Sequence, residues 1–384
     1  MSEKLLNRRN FMKSTLVSVA GLPLLASNVL KQEEKVEEKG GKKRKFIYRT
    51  LGKTGIKLPV ISMGGQMAID PALFRAALDS GINHLQTAQH HRGGKSEEMI
   101  GEVIKGRPRD SFFITTQMKA ASSVDISLKR LGLDYVDFLC LHMAATGQSI
   151  LYESTLNAMG KAKKDGKARF VGVSVHQNEP EIIQACTDSK FYDFVMTSHN
   201  FRQKHYLEVR EAIARAAQTG LGIITFKVMG GLRPNTTASV INASAALKWV
   251  LQDPNVHTIV PGISSFDHID IDLAVMEDLT LTDSEKDYFQ KQASLPGLYC
   301  QGCGQCEKQC FAKLPIPDLM RAYMYTYGYR KPAMAQELVL SLGLPRHVCE
   351  DCGPCPVKCT NGWNVQTKVR DIVRLREVPL EFLV

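Results

Sequence analysis

The sequence has few long apolar runs. The best, from about Leu16 to Leu30, is too short and too interrupted to span a bilayer well. It also lacks a Gly-x-Gly-x-x-Gly after its first strand-like segment, which argues against an open dinucleotide-binding sheet. The body of the chain has little excess charge. Of the net charge of +10, residues 1–46 hold +6, from eleven Lys/Arg against five Glu, and only +4 remains for everything after. A basic bias confined to one end argues against a nucleic-acid partner. What remains is ordinary for a globular protein: 44% hydrophobic and 23% charged residues in 384, enough for one large domain and a small one.

The first thirty residues read as an address. Arg8 and Arg9 are paired, Phe11 and Lys13 follow, and then comes the apolar stretch. This is the pattern of a twin-arginine signal, which exports proteins already folded and loaded with cofactor. The expected location is periplasmic or membrane-tethered, since no clean cleavage site follows. Residues 31–45, KQEEKVEEKGGKKRK, are nearly all charge and read as a solvated linker. The block from Lys42 to Lys45 could also touch a membrane surface.

From residue 46 a regular alternation begins. IYRTLGKTGIKLPVI reads as a hairpin turning at Gly52 to Gly55. Eight apolar, β-branched runs follow, starting at Pro59, His84, Phe112, Tyr135, Arg169, Phe194, Gly222 and His257, each trailed by an amphipathic helical pattern. Runs of this kind suit parallel strands buried on both faces. Eight such units predict a (β/α)8 TIM barrel over residues 46–295, with an open doubly wound sheet as the alternative. Chemistry in such a barrel sits at the C-terminal strand ends, which here present Gln86, Gln117, His142, Ser174, His176, His199, Asn200 and Lys227.

Past residue 296 the composition changes. Cys300, Cys303, Cys306 and Cys310 form one Cys-x2-Cys-x2-Cys-x3-Cys run, and Cys349, Cys352, Cys355 and Cys359 form a second. This is the spacing of two-cluster bacterial ferredoxins, in which the fourth cysteine reaches the other cluster. It predicts two 4Fe-4S clusters in a small α-rich ferredoxin-like domain over 296–384. One set would be Cys300, Cys303, Cys306 and Cys359; the other Cys349, Cys352, Cys355 and Cys310. Disulfides and zinc fit less well, because thiols every third residue are poorly placed for four bridges and zinc favours pairs. Phe311 and Thr360 follow the fourth cysteines where a Pro is usual. Between the two runs, PIPDLMRAYMYTYGYRKPAMAQELVLSLGL reads as two helices broken near Gly328 and Pro332, with its tyrosines used in packing. Cys140 and Cys186 read as buried structural thiols.

The segments GINHLQTA, KSEEMIGEVIKG, SLKRLGLDYVDFLCLH, GKARFVGVSVH and ALKWVLQDPNVHTIVPGIS together resemble the aldo-keto reductase family over about residues 46–290. The whole chain resembles the subset with a C-terminal dicluster module, here with a twin-arginine signal. The resemblance implies nicotinamide-linked carbonyl reduction by Asp, Tyr, Lys and His. Only His142 matches, since Gln86, His91 and Gln117 stand at the other three positions. Both members of the expected ion pair are neutral amides, so neither leaves an unpaired buried charge. His142 would then orient the substrate oxygen and His91 would handle the proton, with His90 as an alternative donor and Lys119 as a replacement cation. Ser174, His199, Asn200, Lys227, Gly262 and Ser264 would face a cofactor. NAD(P)H is compatible with the family but ill-suited to an exported protein with these changes. The expected partners are a small-molecule substrate and a redox protein. The competing expectation is a catalytically silent barrel that acts as scaffold for an electron-transfer module.

Overall fold

A hairpin begins the structured chain, as its glycine turn predicts. Strand β1 (Tyr48–Thr50) pairs antiparallel with β2 (Lys57–Pro59) in the register Arg49↔Leu58, around a turn at Gly52–Thr54. The computed structural model describes residues 44–119, 122–144, 146–230, 242–293, 299–300, 302–350 and 352–383. The twin-arginine leader and most of the charged linker lie outside the described residues.

The eight apolar runs form eight parallel strands in chain order: β3 (Met63–Gly64), β4 (His84–Gln86), β5 (Phe113–Met118), β6 (Val136–Ala144), β7 (Ala168–Val175), β8 (Phe194–Ser198), β9 (Gly222–Phe226) and β10 (Thr258–Val260). A parallel bridge between Ile61 and Ile259 brings the two ends of the sheet together. The Ser62 amide donates to the Ile259 carbonyl at 2.8 Å and the Ile259 amide to the Val60 carbonyl at 2.9 Å. The sheet is thus a nearly closed barrel and not an open sheet. The run beginning at Pro59 is divided: Pro59 ends the hairpin, and β3 starts only at Met63. Proline has no amide proton to give a central ladder.

Helices follow the strands: α1 (Pro71–Asp79), α2 (Lys95–Ile104), α3 (Val124–Leu131), α4 (Glu153–Lys164), α5 (Glu179–Ser189), α6 (Tyr206–Gln218), α7 (Ala243–Leu251) and α8 (Phe266–Glu277), with α9 (Asp283–Ala293) after them. Local chemistry sets their starts. Asp70 accepts the Ala72 amide at 2.8 Å ahead of Pro71, and Asn242 accepts the Ala245 amide at 2.9 Å. The apolar faces of these helices bury against the outer faces of the strands. Inside the barrel a second cluster holds Phe138, Cys140, Phe194 and Met196, and Leu51 and Leu58 of the hairpin close it from below. Cys140 and Cys186 are fully buried.

The C-terminal region is helical, with no strand among its described residues. Helix α10 (Ile316–Tyr323) runs into a π-helical turn at Met324–Gly328; α11 (Pro332–Ser341) and α12 (Val365–Val373) follow. The break between the first two falls at Gly328 to Pro332, where the sequence predicts it. Leu319, Met320, Val339, Val369 and Ile372 form a separate core, edged by Cys300, Cys306, Cys310, Cys349 and Cys359.

Candidate active site and cysteine quartets

The C-terminal region lies across the C-terminal ends of the barrel strands. Gln66 Nε2 donates to Met334 Sδ at 3.1 Å, Gln177 Nε2 to Glu307 at 3.3 Å, and Lys204 Nζ to the Thr360 carbonyl at 2.6 Å. At Gly302 (φ +76°) an added Cβ would stand 2.6 Å from the His176 carbonyl oxygen, so only glycine lets the first cysteine run approach β7 this closely.

Between mouth and cover is a cavity of about 1120 Å³, large for a small-molecule site. From the barrel it is lined by Gln86, His91, Gln117, His142, His176 and Lys227. From the cover come Asp318, Arg321, Tyr325, Tyr329, Met334 and Glu337.

The strand ends explain the positions. Gln86 closes β4 and donates to its neighbour, the Thr87 carbonyl, at 2.9 Å. Gln117, near the end of β5, accepts from Ser174 Oγ at 3.4 Å and points its amide at Met196 Sδ, 3.7 Å away. The two amides are satisfied by neutral groups, as their loss of charge leads one to expect. Behind them, Glu97 pairs with Arg130 at 3.0 Å and accepts from Thr116 Oγ1 at 2.6 Å. Arg130 also donates to the Gln89 carbonyl at 2.9 Å, and so anchors the loop carrying His90 and His91.

Four histidines converge at the mouth. The His90 ring lies 3.9 Å from that of His142 and 4.8 Å from that of His91, and His176 is 5.8 Å from His142. Burial holds all four as neutral imidazoles. His90 is drawn down to about 4 by burial, then by the charges of Lys119 and Arg321. His91, His142 and His176 are lowered well below the ordinary value, each by burial first. A neutral imidazole accepts or orients but is a very weak acid, so an imidazolium proton is not at hand on His91 near neutral pH. Lys227, left-handed at φ 54°, is lowered to about 7 by burial and then by Arg321.

Of the six residues expected to face a cofactor, Lys227, Gly262 and Ser264 line the cavity. Ser174 is buried against Gln117, His199 packs on Trp249 with ring centroids 5.1 Å apart, and the Asn200 side chain accepts the Arg202 amide at 3.0 Å; none of these three lines it. That is half of the expected nicotinamide set. Sequence reasoning missed Asp318, Arg321 and Tyr325. Their signal was available, as polar groups three and seven positions apart in an otherwise apolar helix, and the tyrosine run is more than packing: Tyr325, Tyr327 and Tyr329 all reach the cavity.

The cysteines fall into two groups. Cys300, Cys303, Cys306 and Cys359 surround one small void; Cys310, Cys349, Cys352 and Cys355 surround another. The fourth cysteine of each run has crossed to the other group. Among the described residues no three His, Cys, Asp or Glu side chains are placed to hold a single metal ion. An iron–sulfur cubane asks for something different, one thiolate at each of four separated corners around an open centre. The apolar walls fit such a group: Leu314, Ile316, Val365 and Val369 on one side, Ile316, Met320 and Trp363 on the other. Amide protons already point at sulfur, from Gly302 to Cys300 at 3.3 Å and from Asn361 to Cys359 at 3.4 Å. As bare thiols Cys300, Cys306 and Cys349 stay protonated, because burial pushes the first two up to about 12 and the third up to about 11.

Residues 68–242 match the sequence model of the Aldo/keto reductase family. Among curated relatives, L-galactose dehydrogenase of Arabidopsis thaliana is 32% identical over 155 residues, covering 34% of this chain and 49% of that protein. L-glyceraldehyde 3-phosphate reductase of Escherichia coli is 23% identical over 313 residues, covering 62% and 90%. Among solved structures, an aldo-keto reductase from Bacillus halodurans superposes with a TM-score of 0.54 at 22% identity, covering 64% of this chain and 96% of that one. One from Klebsiella pneumoniae, in complex with NADPH, gives 0.53 at 21%, covering 64% and 95%. At these identities the structural likeness speaks for the fold.

Proposed function

We propose that this protein is an exported iron–sulfur oxidoreductase of the aldo-keto reductase superfamily. It moves electrons between a small-molecule or nicotinamide site in the barrel cavity and two 4Fe-4S clusters, and exchanges them with a redox partner protein. The observation that carries this reading is the crossed arrangement of the two cysteine quartets, with the loop bearing Cys300 and Cys303 set against the end of β7 beside the cavity. When bound, the clusters supply one-electron transfer.

The chain's own residues hold the rest of the chemistry. His142 orients the substrate oxygen. Gln86 and Gln117 shape the floor without charge. The cover keeps water from the mouth, which strengthens every polar contact inside. The N-terminal address, through which a folded and loaded protein would leave the cytoplasm, accounts for export.

Iron and sulfide analysis of anaerobically purified protein tests the clusters, and addition of NADPH, then NADH, tests the cavity. Bleaching of the broad cluster absorption as nicotinamide is oxidised supports the full reading. Bleaching by dithionite alone favours the second reading, a silent barrel that docks an electron-transfer module. Three altered positions of the tetrad, Gln86, His91 and Gln117, are the observation behind that alternative.

A further inference from the structure

The cavity has neutral imidazoles on its barrel side and no acid among the positions where the resemblance implies one. We propose that Tyr325 is the proton donor of this cavity, held by Arg321 and Asp318, so that the C-terminal helix returns the phenol, cation and carboxylate that Gln86, His91 and Gln117 do not supply. The assignment rests on the redox reading of the cavity given above.

Spacing comes first. Asp318, Arg321 and Tyr325 stand at i, i+3 and i+7, one face of a helix. Leu319 and Met320, turned away from that face, pack into the C-terminal core, whose edge Tyr325 also joins. The π-helical turn at Met324–Gly328 widens the helix where Tyr325 enters the cavity; such turns recur at functional sites. Its geometry is fixed by two amides, Tyr329 to the Met324 carbonyl at 2.9 Å and Lys331 to the Tyr325 carbonyl at 2.8 Å.

All three side chains line the cavity, yet they are only 9%, 5% and 8% exposed. Arg321 and Asp318 form a buried ion pair. A guanidinium keeps its charge when buried, unlike an ammonium. Arg321 lines the same cavity as His142, and its charge lowers His90, His142, His176 and Lys227. The Tyr325 ring stacks on Tyr329, centroids 5.7 Å apart and 24° from parallel, which limits its swing. Burial raises the Tyr325 phenol and Arg321 opposes the rise. Asp318 and Glu337 add to the rise, so the phenol keeps its proton and Arg321 is the one group there that favours its release.

The step is a proton transfer. Reduction of a carbonyl takes two electrons, which a one-electron donor would supply singly, and two protons: the Tyr325 Oη–H bond would break as an O–H bond forms at the substrate oxygen, and water would give the proton that reaches carbon. The phenolate left behind rests against Arg321 until water reprotonates it.

The test uses full-length, cluster-loaded protein, methylglyoxal as the probe and dithionite-reduced methyl viologen as electron donor. Tyr325→Phe should lower kcat by about 10²- to 10⁴-fold with KM little changed, while Tyr152→Phe, at an exposed tyrosine outside the cavity, stays within about threefold of the parent. Arg321→Lys should keep part of the rate, and Arg321→Met should lose it and move the alkaline limb of the pH profile upward. Full activity in Tyr325→Phe, or an equal loss in Tyr152→Phe, overturns the assignment. If the parent does not reduce methylglyoxal, ultraviolet titration decides: the difference between parent and Tyr325→Phe isolates this one phenol. Its ionisation should move to higher pH in Arg321→Met, and an unmoved titration overturns the proposal. Absent cluster absorption in the parent defeats the reading of the quartets but leaves this titration to be read.

Discussion

The barrel and the C-terminal region bury their apolar side chains in different ways. In the barrel, eight strands pair in register around Phe138 and Phe194, and the helices seal the outside. Each backbone group on the ladder has its partner inside the sheet. The C-terminal region has three helices, no strand among its described residues, and a small core whose edge is made of thiols. A core of that size is marginal without a staple. The barrel can therefore fold on hydrophobic burial and hydrogen bonding alone, while on the proposed reading clusters at the two cysteine quartets would staple the C-terminal region.

The largest expected effect breaks that comparison at its weakest point. Cys359→Ala should remove about half of the iron and expose the C-terminal region to limited proteolysis, with the barrel left resistant. On the crossed arrangement it should abolish the same electron-paramagnetic signal as Cys300→Ala, and Cys310→Ala the same one as Cys349→Ala. Pairing by chain order would sink the crossed sets.

Core truncations come next. Phe138→Ala in the barrel interior should cost about 3–5 kcal/mol and Leu319→Ala in the C-terminal core about 2–5 kcal/mol. Two separate thermal transitions, one moved by each variant, would sharpen the contrast. A single shared transition would show that the cover and the barrel unfold together.

The neutral floor gives a third test. Gln117→Lys alone buries an unpaired cation and should cost about 3 kcal/mol, and Gln86→Asp with it should recover most of that loss. Urea denaturation of both singles and the double measures the coupling, and additive losses would mean that the two positions do not meet.

Acid should act on the barrel through its buried histidines. In the unfolded chain they titrate near 6.5. Folded, burial holds His84 at about 3 and both His90 and His199 at about 4. Between about pH 6.5 and pH 4 the unfolded state therefore binds more protons, and stability falls as pH falls, by about 1.4 kcal/mol per unit for each such histidine. His84→Gln should flatten the slope of melting temperature against pH in that window. The smallest effect belongs to the surface: Lys161→Ala, which loses an exposed pair with Asp165 four residues on, should cost no more than about 0.5 kcal/mol.

Much of the fold was legible because it is written locally. A buried parallel strand needs an apolar run and its crossover needs an amphipathic helix, so the seven units from His84 to His257 could be read in order. Pro59 misled only at the first strand, where two elements adjoin. The site was half legible. Strand ends gave Gln86, Gln117, His142 and Lys227, because the barrel puts every strand's C-terminus at one mouth. Ser174, His199 and Asn200 come from strand ends too, yet their side chains are taken up in packing, and nothing in their spacing signals that.

The sequence by itself determined the βα repeat, the neutral substitutions of the tetrad and the doubled cysteine spacing, since each is a pattern of neighbours along the chain. Only the tertiary structure decided that the C-terminal helix covers the barrel mouth and brings Asp318, Arg321 and Tyr325 into one cavity with His142. Residues more than 170 positions apart meet there through the packing of two surfaces, and a linear pattern carries no record of such a meeting.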